Sequence, residues 1–312
     1  MSLVINHNLM AMNASRNLSN SYNQLGTSTR RLSSGLRVGT AADDAAGLAI
    51  RELMRSEISS IHQGVRNAND AISMIQTADG ALQVIDEKLV RMKELAMQAA
   101  TGTYNSDQRM IIDSEYQAMS SEISRIASAT DFNGIYLLNG NLSGQMSDHD
   151  GNQLSPSGPI KIHFGTGNDS SEDYYYIAIS TATSSALGLG HNAGLKTDPN
   201  GGTLTFEQAN AGKTVSTQAM AQTAMDAIND AIISKDKIRA NLGSLQNRLE
   251  NTITNLQIQA ENLQAAESRI SDVDVATEMT EFVRQQILTQ SAVAMLSQAN
   301  SLPKMAMQLI SG

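Results

Sequence analysis

The chain reads as mainly α: a long antiparallel coiled-coil helical rod with a small inserted β element. Three observations predict this. Apolar residues recur at alternating steps of three and four over several long stretches, and heptad spacing sustained that far indicates a coiled coil rather than a globular helix. One stretch, 141–213, breaks the rhythm; it is rich in Gly, Ser, Asn and Asp and holds short runs of period two. The 312 residues include no Trp and no Cys, and aromatics make up only 4%. Ala, Leu, Ile and Met must therefore do the burying, and they suit helix–helix packing.

Leu18, Tyr22, Leu25, Thr29, Leu32 and Leu36 form the first run. It is broken by "RLSSGLRVGTAADDAAGLAI", residues 31–50, in which Ser33-Ser34-Gly35 suits a helix end. Thr40-Ala41-Ala42-Asp43 fits a capping box, and Asp43 with Asp44 suits a helix N-terminus electrostatically. The second helix, from about Asp44 to Ala100, would be roughly 85 Å long at 1.5 Å per residue. It carries Met54, Ile58, Ile61, Val65, Ala68, Ile72 and Ile75, then Ala78, Leu82, Ile85, Leu89, Met92, Ala96 and Ala99. Two successive steps of three, through Ile72, Ile75 and Ala78, read as a stammer.

Thr101-Gly102 stops the helix and Asn105-Ser106 offers a new N-cap, so a short connection predicts an antiparallel hairpin. The third helix carries Ile112, Tyr116, Met119, Ile123 and Ile126. Phe132-Asn133-Gly134 and Asn139-Gly140 announce turns, and Ile160, Ile162, Phe164 and Tyr175, Ile177, Ile179 alternate as strands. A fourth helical run takes in Ala224, Ile228, Ala231, Lys235, Ile238, Leu242, Leu245 and Leu249, and continues through Leu256, Leu263 and Ile270. The expected division is a pair of terminal arms, 1–43 and 271–312, a helical rod, 44–140 and 214–270, and a β-rich insertion, 141–213, at the rod tip.

The two ends share an unusual composition. Residues 1–15 and 285–303 contain no charged side chain, yet mix Leu, Met and Val with Asn, Gln and Ser. A solvated helix normally displays charge, and a disordered tail would be less apolar. Arms of this kind are made for burial against other protein, and many copies burying them together is the economical reading. The first 42 residues hold four Arg and no acid, whereas 271–312 hold Asp272, Asp274, Glu278 and Glu281 against Arg284 and Lys304, a bias that favours pairing of the arms.

The formal net charge is −9 and the pI about 5.0, which argues against nucleic acid and anionic membrane as main partners. No run approaches membrane-spanning length, and Met1–Arg16 has neither the basic start nor the apolar core of a secretory signal. The five His, at 7, 62, 149, 163 and 191, begin no H-E-x-x-H motif, and without Cys there is no thiolate site. "GLGHNAG" (188–194) reads as a flexible turn rather than a dinucleotide loop. Asp148, Asp150 and Asn152 read as a solvated loop rather than a calcium site, and Tyr174–Tyr176 as sheet packing rather than a carbohydrate platform. No cofactor, metal or catalytic residue is expected. Ser and Thr within 143–217 are acceptors for glycans if exposed.

"INHNLMAMNASRNL", "RLSSGLRVGTAADDAAGLAI", "GVRNANDAISMIQTADGAL" (64–82) and "DFNGIYLLNG" (131–140) resemble the N-terminal signature of the bacterial flagellins. "SRISDVDVATEMTEFVRQQILTQSAVAMLSQANSLP" (268–303) resembles the other end of that family. Together these motifs cover most of the chain outside 141–215, and the short centre implies that the outer domains of longer flagellins are absent. The resemblance implies a structural subunit that polymerises into the flagellar filament and serves motility. It implies type III export in unfolded form, an extracellular location, and arms that pair as helices in the filament lumen. It further implies contacts with the flagellar cap, junction proteins and an export chaperone, and recognition by a Toll-like innate immune receptor. Aligned on "LVRMKELAMQAATGTYNSDQR" (89–109), the residues of that recognition fall on Arg91, Leu95 and Glu115. From the residues alone, Arg91 is a solvated charge off the heptad core, Leu95 a spare apolar residue beside Ala96, and Glu115 a partner for a nearby Arg. The resemblance instead puts all three on an exposed, partner-facing surface. Three other readings compete. A hook–filament junction protein would lack the long uncharged C-terminal arm that this chain has. A secreted binding protein would stay a stable monomer. An enzyme has no supporting motif.

Overall fold

The computed structural model describes residues 8–143, 158–169, 172–191 and 210–311. Among the described residues the chain is mainly helical, with two small antiparallel hairpins, and it divides into two compact units. One is Met1–Ser59 with Gln259–Gly312; the other is Ser60–Ile258. Among the described residues no helix is long and apolar enough to cross a membrane.

In the first unit, helix α1 (Leu9–Ser34) starts at Asn8, whose side chain accepts from the Ala11 amide at 3.0 Å. It ends at Gly35, which adopts φ 72°, a left-handed value open to glycine without a Cβ penalty. Helix α2 (Ala45–Ala100) begins differently from the sequence expectation. Thr40 does not cap it: the Asp43 carboxylate turns back into the loop, accepting from the Thr40 amide at 3.0 Å and its hydroxyl at 2.9 Å. The cap is Asp44, accepting from the Gly47 amide at 2.9 Å. Asp43 is spent on the loop because Arg30 holds its other oxygen at 2.8 Å.

In the second unit, α2 buries Ile61, Gly64, Ala68, Ala71, Ile75, Ala78, Leu82, Ile85, Leu89, Met92, Ala96 and Ala99. The steps along this line alternate three and four, without a stammer, and Met74 and Leu95 are buried beside it. The apolar pattern misleads at two places because the seam runs through Gly64 and Ala71, while the larger Val65 and Ile72 beside them are only half-buried. Small residues occupy the seam where the chain packs tightest. A Cβ at Gly64 would overlap the carbonyl of Phe164.

Helix α3 (Ser106–Ala129) opens with a complete capping box: the Asn105 side chain accepts from the Gln108 amide, and the Gln108 side chain from the Asn105 amide. It runs antiparallel to α2, as the pairs Arg109–Ala99 and Arg91–Glu115 require. A hairpin follows, β1 (Asp131–Phe132) with β2 (Ile135–Tyr136). Its turn residues Asn133 and Gly134 both have positive φ, 53° and 80°, the geometry Asn-Gly supplies most easily. The second hairpin pairs β3 (Ile160–His163) with β4 (Tyr174–Ile177), Ile160 opposite Ile177 and Ile162 opposite Tyr175. It lies on the flank of α2, where Gly64 leaves room for Phe164 and Asn67 donates to the His163 carbonyl at 2.8 Å. Tyr175 packs between Phe164 and the Arg248 guanidinium, and Tyr174 under the Lys161 ammonium, so the tyrosines serve packing.

Helix α4 (Gln218–Ser271) is antiparallel to α2, with Lys235 on Asp86 and Arg239 on Asp79. Lys235 sits at a heptad core position with its side chain 2% exposed. Burial alone would depress its pKa, but the carboxylates of Asp236 and Asp86, at 2.7 and 2.6 Å, outweigh this and raise it. Tyr116, fully buried, donates to the Gly212 carbonyl at 2.7 Å, and its burial pushes its pKa up. "GLGHNAG" is a turn over its described part: Gly188 and Gly190 have positive φ, and a Cβ at Gly190 would overlap Ser120. Asp148, Asp150 and Asn152 lie outside the described residues. Helix α5 (Val275–Ser311) closes the chain, capped by Asp274.

Candidate assembly surface

Helices α1 and α5 pair within the first unit, so the two ends of the chain come together. The opposite charge bias of the arms is realised in contacts: Arg31 meets Glu278 at 3.5 Å. At the base of the pair the two chain breaks are stitched to each other. Leu36 and Asp272 form an antiparallel bridge, the Arg37 amide donates to Ser271 at 2.7 Å, and the Val273 amide to Gly35 at 3.0 Å. The Arg37 guanidinium adds a bond to the Ile270 carbonyl at 2.8 Å, and buried Arg51 fixes the Val38 carbonyl at 2.7 Å. Further along, Asn8 donates to the Ala299 carbonyl at 2.8 Å. The Asp274 carboxyl is held below its ordinary pKa by the Thr277 hydroxyl, then by the Thr277 and Ala276 amides.

The pair leaves most of its apolar side chains open. Leu9, Met12, Tyr22, Val283, Ile287 and Val293 are all exposed. A groove of about 620 Å³ runs between the helices, floored by Met10, Leu288 and Met295 and edged by the amides of Asn13, Asn17 and Gln298. Gln285 lines it as well; its amide donates to Glu281 at 2.7 Å, while its buried Oε1 has no donor among the described residues. A surface of this kind, apolar and amide-rich with few charges, matches the core of a protein–protein interface more closely than a solvated face.

The three recognition residues fall on the α2–α3 hairpin of the second unit. Arg91 reaches across to Glu115, Nε at 3.0 Å and Nη2 at 2.7 Å, and also holds Glu94 at 3.0 Å. Bonds to Glu115 and then Glu94 raise the Arg91 pKa. Both Arg91 and Glu115 are exposed. Leu95 is not: it is 1% exposed, within the hydrophobic core, so the expected exposure of all three residues fails there. The helix buries positions 95 and 96 together because α2 is flanked by two partners on this stretch, a geometry that a single heptad seam does not reveal. The Asn8, Ser271 and Arg51 contacts were not anticipated either, since nothing in local spacing marks them. Among the described residues no group of three or more His, Asp or Glu could hold a metal ion.

Comparison with known proteins bears on the whole chain. Residues 5–143 match the family model for the bacterial flagellin N-terminal helical region, and residues 225–310 the model for the bacterial flagellin C-terminal helical region. The chain is 39% identical over 311 residues to a flagellar filament 33 kDa core protein of Treponema phagedenis, spanning 99% of this chain and 100% of that one. It is 39% identical over 308 residues to a flagellin of Halalkalibacterium halodurans, with 99% and 100% coverage. The crystal structure of Bacillus cereus flagellin is 29% identical, covers 65% of this chain and 94% of its own, and superposes with a TM-score of 0.45.

Proposed function

We propose, from the premise that this chain belongs to the bacterial flagellin family and is a structural subunit of the flagellar filament, that the α1–α5 pair is the face through which copies assemble. On this reading residues 1–43 and 271–312 form the buried filament core, and the helices of 44–140 and 214–270 the tube outside it. The observation that carries the reading is the row of exposed apolar side chains, Leu9 through Val293, on a helix pair whose outer stretches 1–15 and 285–303 bear no charge, and which a lone subunit leaves in water. The role is structural and involves no catalytic step. Export unfolded through the type III apparatus, delivery by a chaperone that takes the C-terminal arm, and contacts with cap and junction proteins belong to the same proposal.

Deleting residues 285–312 tests it. The truncated protein should keep the circular dichroism of the α2–α4 coiled coil but form no filaments by electron microscopy after seeding. Filaments of normal width from the truncated chain would refute the assembly face.

A second surface is proposed for innate immune recognition. Arg91 and Glu115 supply an exposed charged pair bridging α2 and α3, with Leu95 beneath them as a packing residue rather than a contact. Arg91→Ala should weaken receptor signalling while the melting temperature stays unchanged. Equal signalling by the variant would remove this site.

A further inference from the structure

Methionine is the chain's only sulfur: there are 16 Met and no Cys. The described methionines range from buried to exposed, with Met54, Met119 and Met225 half-buried. Met74, Met92 and Met220 are buried in the coiled coil of the second unit. Met10, Met12, Met279, Met295 and Met305 are exposed on α1 and α5, and Met97 and Met110 on the α2–α3 hairpin. Two of the exposed arm residues, Met10 at 51% and Met295 at 62%, both line the groove between the terminal helices.

We propose that Met10 and Met295 are oxidation sites for a peroxide-class oxidant, and that their conversion to sulfoxide stops a free subunit from joining a filament. The blocking step rests on the assembly face proposed above. In the reaction the thioether sulfur attacks one peroxide oxygen. The S–O bond forms as the O–O bond breaks, sulfur loses two electrons, and the departing oxygen takes a proton and leaves as water. No thiol in the chain competes for the oxidant.

Geometry explains why these two residues matter. Both side chains are more than half exposed in the subunit, so reagent reaches them. Their neighbours in the groove are apolar Leu288 and Ala292 together with amides already placed at its edge. A sulfoxide turns a flexible apolar side chain into a bulkier, polar and chiral one, so a copy seated on the groove would lose the apolar contact that the thioether supplied. The same contact shields the sulfur once a filament has formed. Oxidation would therefore act on subunits before assembly and spare assembled ones.

The test exposes purified subunits and seeded filaments, separately, to hydrogen peroxide and maps the added oxygen by peptide mass spectrometry. In subunits Met10 and Met295 should oxidise at least about tenfold faster than Met74 and Met92, and in filaments that difference should vanish. Oxidised subunits should need about tenfold more protein to elongate seeds, and methionine sulfoxide reductases of both epimer specificities should restore elongation. The variant M10L/M295L should keep clearly more of its elongation after peroxide than wild type does, with the remaining loss coming from Met12, Met279 and Met305, which are exposed on the same pair. Normal elongation by oxidised wild-type protein would overturn the proposal, as would equal peroxide sensitivity of the double variant. If the double variant does not assemble even untreated, reductase rescue of the wild type decides alone, and failed rescue counts against the proposal. Absence of filaments from untreated wild-type protein would instead defeat the assembly face, while the subunit oxidation map would still stand or fall by itself.

Discussion

Gly64→Ala and Gly80→Ala are the same chemical change in the same helix, and the structure gives them opposite signs. Both lie inside α2, where Ala ordinarily stabilises relative to Gly by about 0.5–1 kcal/mol through chain entropy. At Gly80 nothing lies within 4 Å of the added Cβ, so the full gain should appear. At Gly64 the Cβ would overlap the Phe164 carbonyl oxygen and lie 2.8 Å from its carbon and 2.9 Å from its Cα. Restoring ordinary contact to the carbon alone, 3.4 Å or more, demands a shift of at least about 0.6 Å. The backbone there is not free to give. The Phe164 amide is bonded to the Asp173 carbonyl at 2.9 Å, and its ring is packed on Tyr175 with centroids 4.6 Å apart. Overpacking of this kind costs about 1–3 kcal/mol, which offsets the propensity gain and leaves a net loss of up to about 2.5 kcal/mol. Urea unfolding of the monomeric protein, with unchanged slope, should place Gly80→Ala above wild type and Gly64→Ala below it. If Gly64→Ala stabilises as much as Gly80→Ala, the close approach of β3 to α2 is wrong, and with it the reason given for the seam passing through a glycine.

Other expectations follow from the same contacts. Leu95→Ala should cost about 2–4 kcal/mol in thermal or urea unfolding, because the side chain is fully enclosed; a cost under half a kcal/mol would restore it to the surface. Lys235→Met should be neutral or stabilise by up to about 2 kcal/mol, whereas Asp86→Ala, which strips a buried ammonium of one carboxylate, should destabilise by about 1–3 kcal/mol. Since the folded pKa of Lys235 is raised, its contribution is fully present below the ordinary value of 10.5 and is lost as pH rises through the higher folded value. Wild type should accordingly lose stability above that pH faster than Lys235→Met, as melting curves at several alkaline pH values would register. Asp274 behaves oppositely: its pKa is lowered, so its capping of α5 is present above 3.8 and fades as pH falls through the folded value. The protection of the Ala276 and Thr277 amides against hydrogen exchange, taken relative to the intrinsic rate at each pH, should then fall in acid, and Asp274→Ala should abolish that pH dependence.

Much of the fold was legible in local pattern. The Asn105 capping box, the Gly35 helix end, the Asn133-Gly134 turn and the paired strands around Ile162 and Tyr175 all follow from neighbours a few residues apart. The heptad run of α4, Lys235 included, was readable for the same reason, since helical period is a property of the chain itself. The family motifs at both ends were equally plain. Thr40 was misjudged because Arg30, thirteen residues before Asp43, recruits that carboxylate and leaves Asp44 to cap the helix.

By itself, then, the sequence determined the helical class, the breaks between helices, the charge-poor arms and the family, because each is written in composition or in short periodic spacing. The tertiary structure alone decided where the covered side departs from that spacing. Gly64 and Ala71 enter the seam in place of Val65 and Ile72, Leu95 is sealed beneath Arg91, and the β3–β4 hairpin settles on the flank of α2. Apolar size predicts burial only where one partner lies alongside. Where a second element approaches, the space left for a Cβ decides instead, and that space is set by residues a hundred positions away.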